Sequence, residues 1–242
     1  MINPLSTFHR SRLPHVSPVG GTFFVTFRLA DALPQHLVLK FRDEYYKEVA
    51  ALKTMGLSGD ELNRRTTLAR RKYFGRFEHQ LDQRPYGSCI LENPACAKIL
   101  IEQIRKYDGD WYELQAYSIM PNHVHLLLNF VEQIVSEDQS YQNPDLLKST
   151  YVPLCRVLQR IKGASARYIN KYLGQTGTLW QKDSYDHWIR HNEKWENFYY
   201  YTLNNPFKAG LIEEGEIWPF SYGKYDTVCT ADFSRRNAKS AD

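Results

Sequence analysis

Hydrophobic and polar residues alternate along several stretches of the chain, and a period of two is typical of β-strands. In Thr22–Leu29, four apolar side chains occupy alternate positions, so we predict a half-buried strand. Trp111–Ile119 and His123–Phe130 are predicted to be two more strands, and Leu179–Arg190 is predicted to be extended. Met120–Asn122 predicts a turn, because proline cannot donate to a strand ladder, and the strands beside it are expected to form a hairpin.

A period of 3.6 residues predicts helices in five other segments, at about 34–55, 60–81, 93–107, 154–172 and 194–204. Pro206 is expected to stop the last helix. Strands and helices mixed in this way predict an α+β fold, with a central antiparallel sheet and flanking helices. We expect one domain over residues 1–226 with a helical insertion at about 34–107, a polar surface loop at 131–153 and a disordered tail at 227–242.

Composition excludes several classes of protein. The 242-residue chain is 43% hydrophobic and 24% charged, which is ordinary for a folded globular protein. No apolar run approaches the ~20 residues needed to span a bilayer, so no membrane association is expected. The four cysteines show no CxxC spacing, which argues against a zinc ribbon and a redox motif and favours reduced thiols in the cytoplasm.

Positive charge is concentrated in part of the chain. The net charge is +4, yet Leu146–Lys182 has no acidic residue and has seven basic ones, namely Lys148, Arg156, Arg160, Lys162, Arg167, Lys171 and Lys182. A second basic cluster consists of Arg64, Arg65, Arg70, Arg71, Lys72 and Arg76. Basic residues interleaved with aromatic ones predict binding to a nucleic-acid backbone, although each cluster alone fits a solvated helix face equally well.

Two histidines lie on the second strand of the predicted hairpin. Val124 and Leu126 belong to its apolar face, so His123 and His125 share the opposite face, roughly 6.6 Å apart along the strand. Two imidazoles at this separation can bind one divalent ion. Mg²⁺ or Mn²⁺ would need further oxygen ligands, and Zn²⁺ would need a third strong ligand. The alternative is a pair of surface histidines without a metal.

Two tyrosines flank the apolar arc of the last predicted helix. Tyr200 and Tyr201 fall on opposite sides of that arc, and each has an asparagine four residues later on its own helix face. The pairs are Tyr200 with Asn204 and Tyr201 with Asn205. Either pair would place a phenol beside an amide ligand, and helix geometry does not choose between them. The alternative is that both tyrosines are packing residues.

Four motifs resemble those of REP-associated tyrosine transposases, which are single-tyrosine HUH enzymes. Met120–Leu126 resembles the HUH motif, in which a hydrophobic residue separates two histidines. Tyr201–Leu211 resembles the tyrosine signature that follows it, and 177–181 and 183–190 resemble the segments between the two. The similarity extends from about His9 to Trp218, with the motifs in the family's order.

This resemblance implies a ferredoxin-like or RRM-like palm with the histidine pair on a central strand. It implies single-stranded or hairpin DNA of the REP type as substrate, Mg²⁺ or Mn²⁺ as cofactor, and a 5′-phosphotyrosine intermediate. By position, His123 and His125 would be metal ligands, Tyr201 the nucleophile, and Asn205 the third ligand, where related enzymes usually have Gln. The chain could act as a monomer or as a homodimer that shares its tyrosine helix.

We expect DNA to contact the polar face of the sheet and the acid-free segment. Thr26 and Arg28 share the outward face of their strand and are expected near the histidines. Trp180 and Tyr185 are predicted to stack on unpaired bases, although Trp180 fits the core equally well. The remaining predicted DNA contacts are basic, namely Arg156, Arg160, Lys162, Arg167 and Lys208.

The function expected from these features is a metal-dependent DNA endonuclease and strand transferase. Lys208, Asp186 and His187 are candidate general bases, with no basis for choosing among them. Two rival functions stay open. One is a non-catalytic, RRM-like module that binds single-stranded nucleic acid, and the other is a phosphoesterase that hydrolyses without a covalent step.

Overall fold

The computed structural model describes residues 6–10, 14–83, 86–135, 150–190 and 194–225. The strands are β1 (Ser6–Arg10), β2 (Pro14–Pro18), β3 (Thr22–Arg28), β4 (Glu113–Ile119), β5 (His123–Asn129), β6 (Tyr185–Ile189) and β7 (Ser221–Gly223). The α-helices are α1 (Gln35–Thr54), α2 (Gly59–Gln83), α3 (Pro94–Arg105), α4 (Glu132–Val135), α5 (Leu154–Leu173) and α6 (Trp195–Lys208). Two predicted regions lie outside the described residues. They are the tail at 227–242 and most of the polar loop, residues 136–149, which includes Lys148.

Five strands form one antiparallel sheet in the order β6-β3-β5-β4-β7. The middle strand is β5, which carries both histidines, and it is paired to β3 on one side and to β4 on the other. β1 and β2 pair only with each other in a separate hairpin. The sheet and its helices confirm the predicted α+β class, and β4 and β5 form the predicted hairpin.

One face of the sheet, which we call the core face, packs against α3 and α5. Val25 and Leu126 from the sheet belong to one buried cluster with Ile104 of α3 and Val157 of α5. α3 begins as its sequence indicates, because the Asn93 side chain accepts a hydrogen bond from the Ala95 amide and Pro94 needs no partner. The apolar face predicted for the histidine strand is therefore the core face.

The opposite face, which carries the histidines, is called the histidine face. α6 packs on it, and Tyr199 of that helix forms a second buried cluster with Phe24, Ala116, Leu127 and Ile189. The prediction that β3 is half-buried is therefore wrong, since residues 23–27 are all buried. The alternation of Thr and Phe on this face indicated solvent, whereas a partly apolar helix covers it.

α6 continues through Pro206 to Lys208, so the prediction that Pro206 stops the helix is also wrong. Proline removes the amide that would have bonded to the Thr202 carbonyl, but its fixed φ of about −65° is compatible with helical backbone. The amides that follow still bond backwards, from Ala209 to the Asn205 carbonyl and from Leu211 to the Pro206 carbonyl. The extra turn keeps Asn205 within regular helix.

α1 and α2 form an antiparallel pair joined by aromatic contacts and ion pairs. Rings of Tyr45 and Tyr73 lie 5.0 Å apart, and Arg76 pairs with Glu44. Other basic residues of the second cluster also have acidic partners, since Glu61 binds both Arg64 and Arg65. Much of that cluster is neutralised within the protein. None of the helices in the described part of the chain is long and apolar enough to cross a membrane.

Candidate functional site

The β4–β5 hairpin places both histidines in the middle of the sheet. In the strand register, His125 lies opposite Thr26 of β3 and Ser118 of β4, and His123 lies opposite Arg28. The two imidazoles share the histidine face, as predicted. They are not surface residues, because only 1% of His123 and none of His125 is exposed. α6 and α2 cover this face, and the sequence pattern of β5 alone gave no sign of that cover.

Hydrogen bonds fix which nitrogen of His123 carries the proton. The Asn122 amide nitrogen donates to the Tyr86 carbonyl at 3.0 Å, so its Oδ1 faces His123 Nδ1 at 2.8 Å. An amide oxygen only accepts, so Nδ1 must be the donor. In the neutral ring the Nε2 atom is then the basic nitrogen, which is the form that binds a metal.

A relay of hydrogen bonds fixes the proton of His125 in the same way. The Thr26 hydroxyl donates to Glu78 Oε1 at 3.0 Å and lies 2.9 Å from His125 Nδ1. Because its single hydrogen goes to the carboxylate, the hydroxyl oxygen accepts from His125 Nδ1. His125 therefore also presents a basic Nε2.

The two basic nitrogens face each other. His123 Nε2 and His125 Nε2 are 3.1 Å apart, with the ring planes at 84°. Burial lowers the pKa of His125 to about 3, and burial together with the neighbouring imidazole and Arg28 lowers that of His123 well below its ordinary value. Two lone pairs at this distance repel, and a proton between them is disfavoured. If both Nε2 atoms bound one ion at ~2.1 Å, with a right angle between the two bonds, they would be about 3.0 Å apart. The observed separation of 3.1 Å is close to that value.

Asn205 is the candidate for a third group at a metal, because its side chain offers a buried amide oxygen. Its side chain is fully buried, and both Nδ2 and Oδ1 lack a hydrogen-bond partner within the described residues. Leaving a buried amide unsatisfied costs about 1–3 kcal/mol, and an ion bound by Oδ1 would offset part of that cost. Two imidazoles and one amide oxygen, completed by water or phosphate oxygens, form a donor set that Mn²⁺ or Mg²⁺ could use, whereas Zn²⁺ would need a stronger third ligand than an amide. The donor set thus fits a divalent ion.

Tyr201 lies beside the histidines, and Tyr200 lies against Tyr199. The Tyr201 ring centre is 5.5 Å from that of His125 and 5.6 Å from that of Phe24. Tyr200 instead packs edge-on against Tyr199 on the other flank of α6. The packing of α6 on the sheet therefore brings Tyr201 next to the histidine pair. Asn205, four residues later in α6, lies on the same side of the helix as Tyr201.

Glu78 of α2 is a site residue that sequence reasoning missed. Its Oε1 accepts from Thr26, and its Oε2 accepts from the Tyr201 hydroxyl at 3.4 Å. One carboxylate therefore joins the His125 relay to the tyrosine. Glu78 is 123 residues before Tyr201 and follows a strongly basic run, so neither spacing nor local composition marked it.

The three candidate bases have other surroundings. Lys208 Nζ lies 4.9 Å from the centre of the Tyr201 ring, which places a cation beside the phenol. Asp186 pairs with Arg70 at 3.3 Å, and the His187 ring stacks on Phe198 at 5.0 Å. Lys208 thus contacts the Tyr201 ring, whereas Asp186 contacts Arg70 of α2 and His187 contacts Phe198 of α6.

Two of the predicted DNA contacts must be corrected. Trp180 is only 5% exposed, its indole N–H donates to Ser165 at 3.0 Å, and its ring packs on Phe27, so it is a core residue and not a stacking platform. Lys162 donates to the Gln181 and Lys182 carbonyls and to the Ser184 hydroxyl. All three of its donors therefore hold the 181–184 loop.

The other predicted contacts differ in exposure, since the α5 arginines are exposed whereas Tyr185 and Arg28 are half-buried. Arg156, Arg160 and Arg167 are exposed on α5, away from its buried stripe. Tyr185 lies opposite Thr26 in the register, on the histidine face, with Phe74 packed on its ring at 4.5 Å. Arg28 is the cross-strand neighbour of His123, so Thr26 and Arg28 lie beside the histidines as expected.

Comparison with known proteins gives one informative relative. No protein-family model matches the chain. A Haemophilus influenzae protein named "Putative REP-associated tyrosine transposase" is 27% identical over 110 residues, which are 46% of this chain and 58% of that protein. The chain resembles REP-associated tyrosine transposases.

Two further comparisons accompany this resemblance. An uncharacterized H. influenzae protein is 26% identical over 112 residues, or 43% of this chain and 58% of that protein. The chain therefore matches a little over half the length of each curated relative. A solved structure of a REP-associated tyrosine transposase bound to a REP hairpin has a TM-score of 0.42 and 17% identity, covering 95% of this chain and 87% of that one.

Proposed function

We propose that this protein is a metal-dependent endonuclease and strand transferase that acts on single-stranded or hairpin DNA of the REP type. The observation that carries the proposal is the approach of His123 Nε2 and His125 Nε2 to 3.1 Å beside Tyr201. Metal ligands and a tyrosine nucleophile would thus lie within one small region of the histidine face. The name of the H. influenzae relative, a REP-associated tyrosine transposase, supports a transposase-type reaction associated with REP elements.

The metal would be held by His123, His125 and Asn205, with Mg²⁺ or Mn²⁺ as the expected ion. When bound, the ion would polarise a phosphate oxygen and neutralise charge that develops on the phosphate. Asn122 and the Thr26–Glu78 relay would keep both imidazoles in the tautomer that presents Nε2. These supporting contacts are already formed by the folded chain.

Tyr201 would carry the covalent step. Its phenol oxygen would attack the scissile phosphorus and give its proton to Glu78, forming an O–P bond that leaves the 5′ end of the DNA esterified to Tyr201. The bond from phosphorus to the 3′-oxygen would break, and that oxygen would take a proton from Glu78 or from water and leave as a 3′-hydroxyl. A later attack by a DNA 3′-hydroxyl on the phosphotyrosine reverses the step. Phosphate-ester bond energy is conserved throughout, so no other co-reactant is needed.

Glu78 and Lys208 would help the phenol, whose ordinary pKa near 10 makes it a poor nucleophile at neutral pH. Glu78 Oε2 accepts the Tyr201 hydroxyl hydrogen and is placed to receive the proton as the oxygen attacks. Lys208 places positive charge next to the phenol ring. The predicted candidates Asp186 and His187 have no role in this scheme.

The test is incubation of the full chain with labelled hairpin DNA and Mn²⁺ or Mg²⁺, followed by denaturing electrophoresis and peptide mapping. We expect DNA attached through its 5′ phosphate to Tyr201. Tyr201→Phe should lose the adduct and still bind DNA, whereas the matched variant Tyr200→Phe should keep the adduct, because Tyr200 faces Tyr199 instead.

Each rival function has its own outcome in this experiment. Cleavage without an adduct on any tyrosine would indicate a plain phosphoesterase. DNA binding without cleavage in either metal would indicate a non-catalytic, RRM-like binding module. An adduct on Tyr200 would preserve the mechanism and overturn the residue assignment.

A further inference from the structure

A cleft opens where the α1–α2 pair meets β3 and β6, and it borders the candidate site. We call it the aromatic cleft, and its lining includes Arg28, Tyr45, Tyr46, Tyr73, Phe77 and Tyr185. Thr26 and Glu78 also line it, and these two residues form the relay that orients His125. The cleft and the site of the proposed chemistry therefore share a wall.

Arg28 places positive charge inside the aromatic cleft. Its guanidinium lies 4.6 Å from the centre of the Phe77 ring, and within the described residues it makes no hydrogen bond or ion pair. Burial lowers the pKa of Arg28 to about 10, which leaves it charged at neutral pH. A guanidinium stacked on an aromatic ring keeps its N–H edge for an oxyanion, and phosphate matches that fork.

Tyrosine rings form another wall of the aromatic cleft. Tyr45 contacts both Tyr46 and Tyr73, with ring centres 5.6 Å and 5.0 Å apart. Tyr46 is 43% exposed, so part of its ring is open to a ligand, whereas Tyr45 is buried and supports it. Rings of this kind stack on unpaired bases without strong sequence preference, and their hydroxyls can bond base edges.

We propose that the aromatic cleft binds a single unpaired nucleotide of the DNA strand next to the scissile phosphate, with the phosphate on Arg28 and the base on Tyr46. The inference rests on the proposed function, since it places that nucleotide beside the tyrosine site. The lining also contains the carboxylates of Glu78 and Asp183, which disfavour a longer run of phosphates. One nucleotide, with one phosphate and one base, matches this mixture of groups.

Photocross-linking tests the position of the nucleotide without requiring catalysis. Hairpin oligonucleotides that carry 5-iododeoxyuridine at successive unpaired positions are bound to the full-length Tyr201→Phe variant, irradiated and mapped by mass spectrometry. We expect one unpaired position to cross-link to the peptides that contain Tyr45, Tyr46 or Tyr73. Cross-links that map only outside α1 and α2, or no binding of unpaired DNA at all, would overturn the proposal.

Affinity measurements test the roles of the two residues. In the same background, Tyr46→Ala should weaken binding about tenfold, a loss typical of one stacked base. With DNA that is abasic at the cross-linked position, Tyr46→Ala and its parent should bind equally well, because no base is left to stack. A general folding defect would instead weaken binding of normal and abasic DNA alike. Leu68→Ala, which removes another exposed apolar side chain of the α1–α2 pair, should bind normally. Arg28→Gln should weaken binding and reduce its dependence on salt.

The outcomes separate this proposal from the proposed function. A cross-link in the aromatic cleft without any covalent adduct in the unsubstituted protein would keep the cleft and reject the strand transferase. An adduct on Tyr201 without a cross-link in α1 or α2 would support the strand transferase and reject nucleotide binding in the aromatic cleft. Equal losses for normal and abasic DNA in Tyr46→Ala would reject base stacking.

Discussion

The Tyr201 hydroxyl donates a hydrogen bond to Glu78 Oε2 across 3.4 Å, although the two residues are 123 positions apart in the chain. The other carboxylate oxygen accepts from Thr26, which in turn holds His125. A single side chain of the helical pair thus orients both the tyrosine and one of the candidate metal ligands. The α1–α2 pair is therefore part of the site and not only an appendage of the sheet.

Glu78→Gln should slow formation of the Tyr201–DNA adduct about a hundredfold or more, since a positioned proton acceptor contributes on the order of 10²–10⁴ in rate. The amide oxygen of Gln can still accept from Thr26, so DNA and metal binding should change little. The rate of the variant should rise more steeply with pH than that of the unsubstituted protein, because the phenol then loses its proton to solvent. A variant with an unchanged rate and pH profile would show that Glu78 has no part in the step.

Asn205→Leu should stabilise the metal-free protein and weaken its response to metal. Both polar atoms of Asn205 are buried without a partner in the described residues, so replacing them with methyl groups should raise the free energy of unfolding by about 1–3 kcal/mol. Urea unfolding with a chelator and with Mn²⁺ measures both effects. Asn204→Leu is the matched control one position earlier, where the side chain is only half-buried, and it should leave the Mn²⁺ response intact.

The buried histidine pair should make the metal-free protein sensitive to mild acid. Both histidines have lowered pKa values when folded, whereas in the unfolded chain they titrate near 6.5. Below that pH the unfolded chain takes up protons that the folded chain does not. As the pH is lowered from about 6.5 to about 5, the free energy of unfolding should therefore decrease, by up to 1.4 kcal/mol per pH unit for each histidine.

Urea unfolding of chelator-treated protein across this pH range provides the measurement. The double variant His123→Asn, His125→Asn has no titrating imidazole at these positions, so its stability should be nearly flat over the same range. Equal slopes in the two proteins would contradict the assignment of two buried neutral imidazoles.

Much of the fold could be predicted from residue periodicity, because strands and helices each impose their own spacing. The shared face of His123 and His125 follows directly from alternation along a strand. What lies on that face does not, since burial of the pair depends on where α6 and α2 pack. The contact between Glu78 and Tyr201 is of the same kind, because it joins elements from distant parts of the chain.

The position of Trp180 could not be predicted from the sequence either. An indole beside basic residues fits base stacking and core packing equally well, and the choice depends on whether its N–H finds a partner inside the protein. Ser165 provides that partner from the adjacent helix. Trp180→Phe should therefore lower thermal stability and leave DNA affinity unchanged, and calorimetry with fluorescence anisotropy checks both. A loss of affinity without a loss of stability would restore the stacking role.

The exposed arginines of α5 should govern the salt dependence of DNA binding. Arg156, Arg160 and Arg167 are solvent-exposed, whereas Arg64 and Arg65 of α2 are already paired with Glu61. Each phosphate contact on a single strand contributes about 0.7 to the slope of log affinity against log salt, so replacing all three α5 arginines with alanine should reduce that slope by about 2.

Anisotropy titrations of labelled single-stranded DNA at several salt concentrations measure this slope. The Arg64→Ala, Arg65→Ala variant controls for loss of net charge, and it should change the slope much less, because an arginine held by a carboxylate releases few DNA counterions. If both variants reduced the slope equally per charge removed, net charge alone would account for binding. The prediction that DNA contacts α5 would then be wrong, and its exposed arginines would form an ordinary solvated helix face.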